Sequence, residues 1–263
     1  EPDAVTSLTV STKTTSSVSL TWNVPHGTKY NFTVNWTDGS VNNSTNTSDM
    51  SYTVTGLTAG VNYTFTVTAV AKDNQTAGAP TQISAFTKPD SVINLTASPK
   101  TTSSVSLTWN APNGKWSYFT VNWTNGSVNN SKNMSYTVTG LTAGVNYTFT
   151  VTAVAADGET RGEPTQTSAF TKPDIVRNLR ASEVTTTSVF LDWAKPLGES
   201  SFFRVTWIKS STTPSTAFNI TDLDPGTNYT FTVSAVAADN KTEGRFVGLS
   251  ICTGRFHKIK FCE

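Results

Sequence analysis

The chain has 263 residues, of which 36% are apolar and 14% charged, and its formal net charge is +1. That length allows one large domain or two to three small ones with packed cores. The near-neutral balance, with no basic stripe interleaved with aromatics, argues against nucleic-acid binding. Two cysteines cannot close a tetrahedral site without histidine help, and neither histidine has a plausible partner arrangement, so they fit neither a small disulfide scaffold nor a zinc ribbon. Hydroxyl side chains replace the missing charge: there are 49 Thr and 29 Ser. Threonine is β-branched and suits the exposed face of a strand, so the composition reads as all-β. Residue 1 is Glu, and no signal peptide or run of 18 apolar residues follows, so the chain reads as a segment of a longer protein.

In chain order, residues 1–88 show about seven strand-like runs, near 5–11, 16–23, 30–37, 40–45, 50–56, 62–71 and 79–88. Their period is two. In NFTVNW (31–36), Phe32, Val34 and Trp36 share one face and Asn31, Thr33 and Asn35 the other. Strands buried on one face only belong to a two-sheet sandwich. Between the third and fourth runs lies Asp38-Gly39, matched later by Asn125-Gly126, a pair that favours a two-residue hairpin turn.

The same phrases then return. GLTAGVNYTFTVTAVA occupies 56–71 and again 140–155, with DLDPGTNYTFTVSAVA at 222–237; VSLTW at 18–22 and 105–109 becomes VFLDW at 189–193. Trp22, Trp109 and Trp193 are 87 and 84 residues apart, and AFTKPD marks both joints, at 85–90 and 169–174. Three units follow, 1–88, 89–172 and 173–253, with 254–263 left as a basic tail holding Arg255, His257, Lys258 and Lys260. Units of this length fold independently, unlike short solenoid repeats. Pro89 and Pro173 stiffen the joints, so an extended rod approaching ~100 Å is expected.

A Trp on the second run, an aromatic-rich third run, and Y-T-V-T-G-L followed six residues later by Tyr63 together resemble a fibronectin type III domain, and Trp109, Leu141, Tyr147 and Trp193, Leu223, Tyr229 repeat the pattern. The resemblance implies seven-stranded immunoglobulin-like sandwiches in tandem, with Tyr63, Tyr147 and Tyr229 as tyrosine corners bonded to backbone upstream. The family usually carries Pro-Gly in the turn before that tyrosine. Pro225-Gly226 keeps it, whereas Ala59-Gly60 and Ala143-Gly144 depart from it, a change expected to affect turn stiffness more than fold.

Of 21 asparagines, 16 head an N-x-S/T triplet, where chance at this Ser/Thr content gives roughly 6. The acceptors are Asn31, Asn35, Asn43 (with Asn42 beside it), Asn46, Asn62, Asn74, Asn94, Asn122, Asn125, Asn129, Asn133, Asn146, Asn219, Asn228 and Asn240. Asn and the hydroxyl residue are two apart, so in a strand both point outward while the residue between them points inward. The excess indicates the secretory pathway and N-linked glycans. Cys252 and Cys262, ten residues apart, fit a small disulfide loop in an oxidising compartment, with a thiol elsewhere in a longer chain as the rival partner.

No residues assemble a catalytic, cofactor or metal site. His26 and His257 have no partner pattern, the joints lack acidic clusters for calcium, and there is no Arg-Gly-Asp triplet. No enzyme is read here. Phrases such as TKPDSVINLTAS and NYTFTVTAVAADG resemble the ectodomains of receptor-type protein tyrosine phosphatases, in the subgroup with type III repeats above one membrane span and one phosphatase domain. That resemblance implies an extracellular, glycosylated ligand-binding or spacer segment of a cell-surface receptor, reaching the membrane only through the parent chain. The alternatives are a matrix or cell-adhesion protein without an attached enzyme, and a spacer array on a microbial secreted carbohydrase. In SSFFRVTW (200–207), alternation sends Phe203, Val205 and Trp207 inward and leaves Phe202 and Arg204 as a candidate partner-binding patch. No ligand is identifiable.

Overall fold

The computed structural model describes residues 1–25, 31–124, 126 and 128–255, apart from the Pro99 side chain. Among them there is no helix. The first seven strands are β1 (Thr6–Lys13), β2 (Ser17–Asn23), β3 (Asn31–Thr37), β4 (Asn42–Thr47), β5 (Ser51–Thr55), β6 (Asn62–Val70) and β7 (Thr81–Phe86). The next seven are β8 (Ile93–Lys100), β9 (Ser104–Asn110), β10 (Tyr118–Trp123), β11 (Asn129–Ser131), β12 (Ser135–Thr139), β13 (Asn146–Val154) and β14 (Thr165–Phe170). The last are β15 (Arg177–Val184), β16 (Val189–Ala194), β17 (Phe202–Thr206), β18 (Ser210–Thr213), β19 (Ala217–Ile220), β20 (Asn228–Val236) and β21 (Val247–Cys252).

Each set of seven forms a three-stranded and a four-stranded sheet: β1-β2-β5 with β4-β3-β6-β7, β12-β9-β8 with β11-β10-β13-β14, and β15-β16-β19 with β18-β17-β20-β21. The expected all-β tandem sandwiches are therefore present. By packing, the chain groups into two compact units. One comprises Glu1–Thr96, Thr108–Tyr136 and Phe149–Thr167, and the other Ala97–Leu107, Thr137–Thr148 and Ser168–Glu263. The whole first sandwich lies in the first unit and the whole third in the second.

Alternation places the core. In the first sandwich, Val18, Leu20, Phe32, Val34, Val54, Phe65, Val67 and Ala69 are all buried, and Trp22 packs edge-on against Phe32 with ring centroids 5.4 Å apart. The third repeats this with Val189, Leu191, Phe203, Val205, Phe231 and Val233, and its Trp193 meets Phe203 at 5.4 Å. Truncating such a ring to Ala costs about 3–5 kcal/mol, because the cavity left behind closes only partly. The tyrosine corners form as expected. Tyr63 Oη accepts the backbone N–H of Thr58 at 3.0 Å, Tyr147 Oη that of Thr142 at 3.0 Å, and Tyr229 Oη that of Asp224 at 2.9 Å.

The turn after β3 differs from the expectation. Thr37 pairs with Asn42, so residues 38–41 make a four-residue loop rather than a two-residue hairpin turn. Only Gly39 of the pair has a positive φ, 91°. Asp38 keeps an ordinary backbone because its carboxylate accepts the N–H groups of Ser40 and Val41 at 2.8 and 3.0 Å, holding the loop from its side chain. Asn125 of the matching pair lies outside the described residues, as do His26 and tail residues 256–263.

Candidate functional site

The acceptor asparagines sort by their place on the sheets. Asn31, Asn62, Asn146 and Asn228 are the exposed first residues of β3, β6, β13 and β20. Asn43, Asn46 and Asn219 are exposed within β4 and β19, and Asn133 is exposed in the turn after β11. Asn94 is exposed at φ 55°, matching Asn178 (φ 54°) in the bulge of β15, where the register shifts between Arg177 and Arg180. Asn74 and Asn240 occupy exposed loop tips, both at φ 59°, a conformation asparagine tolerates. Asn35, Asn122 and Asn129 are only half exposed. Asn125 falls outside the described residues.

Several of these groups already have structural work. The triplet hydroxyls Thr64, Thr148 and Thr230 each pair across strands with Ser84, Ser168 and Ser250, every contact at 3.0 Å. Such ladders stabilise a solvated sheet face whether or not the neighbouring asparagine carries sugar. Asn31 Nδ2 donates to Asn74 Oδ1 at 3.1 Å, and the Thr33 hydroxyl donates to Asn46 Oδ1 at 2.9 Å. These residues line a cavity of about 500 Å³ with Gln75. Asn122 is half exposed, but its Oδ1 is buried against neighbouring strand atoms without a hydrogen-bond partner.

A second repeated element is the loop before the last strand of each sandwich. Asp73 accepts the N–H of Gln75 and Thr76 at 3.0 and 2.9 Å and the Thr76 hydroxyl at 2.6 Å. Asp157 and Asp239 make the same three bonds to residues two and three further on. The Thr76 hydroxyl and then the two N–H groups hold the Asp73 carboxyl down to about 2. Partial burial pushes Asp239 up, but the Thr242 hydroxyl and the N–H groups of Thr242 and Lys241 bring it below the ordinary range.

The candidate patch on β17 is brought together, with an addition that the sequence did not suggest. Phe203 and Val205 are buried, Trp207 packs on the core, and Phe202 and Arg204 lie half-buried on the outer face. Arg204 Nε bonds Glu243 Oε2 at 3.2 Å, and Ser234 Oγ donates to Glu243 Oε1. Arg204 and Ser234 face each other across the β17–β20 ladder, and Ser234 is 4% exposed. Nothing in the spacing of 204, 234 and 243 announces this trio; strand register alone assembles it. Phe246, 70% exposed, stands where the first two copies carry Pro80 and Pro164. Cys252 is exposed and unbridged among the described residues, and Cys262 lies outside them. Among the described residues no three His, Cys, Asp or Glu side chains converge on a metal-sized space.

The repeated sandwich, its buried Trp and its tyrosine corner converge with the sequence. A model of the fibronectin type III domain matches residues 3–86, 88–170 and 174–246. The chain belongs to the fibronectin type III family. Receptor-type tyrosine-protein phosphatase eta of Gallus gallus is 41% identical over 266 residues, covering 95% of this chain and 19% of that protein. Receptor-type tyrosine-protein phosphatase H of Homo sapiens is 34% identical over 95% of this chain and 24% of that protein. Tenascin-R of Homo sapiens is 28% identical over 92% of this chain and 19% of its own length. The chain thus spans roughly a fifth to a quarter of the relatives it matches. These relatives are extracellular or cell-surface proteins, and fibronectin type III repeats are non-catalytic domains.

Proposed function

We propose that this chain is an extracellular, N-glycosylated segment of a cell-surface receptor of the receptor-type tyrosine phosphatase kind, in which three type III modules hold or space a ligand site. The observation that carries this reading is the 41% identity to the chicken phosphatase across 95% of the chain. The modules are taken as 1–88, 89–172 and 173–253, followed by a basic tail with a Cys252–Cys262 loop. Any phosphatase activity belongs to a cytoplasmic domain elsewhere in the parent protein. The exposed acceptor asparagines carry glycans, which shield the sheet edges from strand-to-strand association. The partner is a protein ligand or adhesion molecule, met by the Phe202–Arg204 face of the third module.

A matrix or adhesion protein without an attached enzyme is the second reading, motivated by the 28% identity to human Tenascin-R over 92% of the chain. Reading the parent transcript through several hundred codons past Glu263 separates the two. One apolar span followed by the H-C-x-x-G-x-x-R phosphatase signature is the expected result. Further β-modules without that signature would leave the matrix reading.

A further inference from the structure

The Ala-Gly turns that replace the family's Pro-Gly have a partner. Within the first compact unit, the carbonyl of Ala59 accepts the backbone N–H of Lys115, in the β9–β10 loop of the next module, at 2.9 Å. A Cβ on Gly60 would fall 1.8 Å from the Lys115 carbonyl oxygen, and one on Gly114 would fall 2.4 Å from that of Ala59. Within the second unit the same contacts recur: Glu199 N–H to Ala143 O at 2.9 Å, Gly144 against Glu199 at 1.8 Å, and Gly198 against Ala143 at 2.4 Å.

The local turn is the same in all three modules. Gly60 N–H bonds Lys88 O, Gly144 N–H bonds Lys172 O, and Gly226 N–H bonds Gly254 O, at 3.2, 3.3 and 3.0 Å. What differs is the outside of the turn. At Gly226 the nearest group is the side chain of Arg255, at the start of the tail, with its Cγ 2.9 Å from where a Cβ would sit, and Pro225 is exposed where Ala59 is buried. Glycine at these turns therefore serves two demands, a positive φ everywhere and a close backbone approach only at the first two.

We infer that Ala59-Gly60 with Gly114-Lys115, and Ala143-Gly144 with Gly198-Glu199, are a module-docking joint: a surface whose partner is a type III module carrying glycine in its β2–β3-type loop, and which fixes the angle between consecutive modules. Backbone-to-backbone contact at this distance leaves no room for a side chain and no slack for rotation. Polar side chains flank the first joint. Lys13 Nζ donates to the Thr160 hydroxyl at 3.2 Å, and Lys88 pairs with Glu163 at 3.0 Å. In the repeat the positions of Glu163 and Lys88 are taken by Arg245 and Lys172, which cannot form an ion pair, so the glycine contact rather than the ion pair is common to both joints.

The test uses the full chain with Cys252→Ser and Cys262→Ser, spin-labelled through Ser51→Cys and Lys132→Cys, both exposed. Pulsed dipolar spectroscopy is expected to give one narrow distance distribution. Gly60→Ala and Gly114→Ala each shift and broaden it. Gly226→Ala, with a similar positive φ and no next-module loop against it, lowers Tm through local strain and leaves the distribution unchanged. If Gly60→Ala fails to fold, Gly114→Ala, which leaves the first module intact, decides the matter. A parent distribution already as broad as the variants', or a folded Gly114→Ala variant with the parent's distribution, overturns the joint.

Discussion

Thr87 donates its hydroxyl to the carbonyl of Thr58 at 2.6 Å and accepts the N–H of Val61 at 3.1 Å, with no solvent exposure of its own. Thr171 does the same with Thr142 and Val145, and Thr253 with Asp224 and Thr227. One hydroxyl thus ties the end of each module to the turn before its tyrosine-corner strand. Thr87→Val keeps shape and removes the bond, stranding a buried donor and acceptor. A loss of about 1–3 kcal/mol is expected in urea unfolding, with Thr87→Ser losing less. Equal stability of the valine variant would show that water satisfies the turn.

Tyr229→Phe removes the acceptor of the Asp224 N–H while keeping the ring against Phe231, 6.0 Å away. The expected cost is about 1 kcal/mol, read from the midpoint of chemical unfolding of the third module.

The Asp73 loop gives a pH signature. Its carboxyl is held down to about 2 in the fold against an ordinary 3.8, because the charged form accepts the Thr76 hydroxyl and two N–H groups more strongly than the neutral form does. A depressed folded pKa means that this order is complete above the ordinary value and is lost as pH falls from about 4 through about 2. The amide resonances of Gln75 and Thr76 should shift over that range, and Asp73→Asn should flatten the response. Titration centred near the ordinary value would show that the loop bonds do not persist in solution.

Glu243→Gln removes the charge that Arg204 and Ser234 share. Arg204 and Glu243 side chains are 38% and 36% exposed, so screening keeps the ion pair itself below about 1 kcal/mol. The larger effect is expected at the surface, where Arg204 is freed to move. If the Phe202 face meets a protein ligand, both Phe202→Ala and Glu243→Gln weaken its capture in a binding assay. Unchanged affinity for Phe202→Ala removes that face from the proposal.

Glycan occupancy should follow exposure, because an amide packed against its strand neighbours is a poorer acceptor than one standing free in solvent. In protein secreted from animal cells, Asn219→Gln is expected to remove one glycan from the intact mass. Asn122→Gln, where Oδ1 is buried, is expected to leave the mass unchanged apart from the substitution. The reverse pattern would show that burial of the Asn122 Oδ1 does not limit glycosylation there.

Residue order alone determined the repeat, the seven-strand count and which side of each strand is buried. Alternation in NFTVNW and NYTFTV leaves one arrangement that buries Phe32, Val34, Phe65 and Val67 together, so pattern and packing agree. The tyrosine corner was legible because one side chain bonds its own chain five residues back. What joins distant positions was not. Arg204, Ser234 and Glu243 become neighbours only through the β17–β20 register and the loop that follows, and Asp38 overrode the hairpin preference of Asp-Gly with two hydrogen bonds that no dipeptide rule contains. The difference between Ala59-Gly60 and Pro225-Gly226 looks like turn stiffness on paper. Only the tertiary structure shows another backbone 1.8 Å from where a side chain would begin, because steric exclusion between segments 55 residues apart leaves no mark on either segment's own pattern.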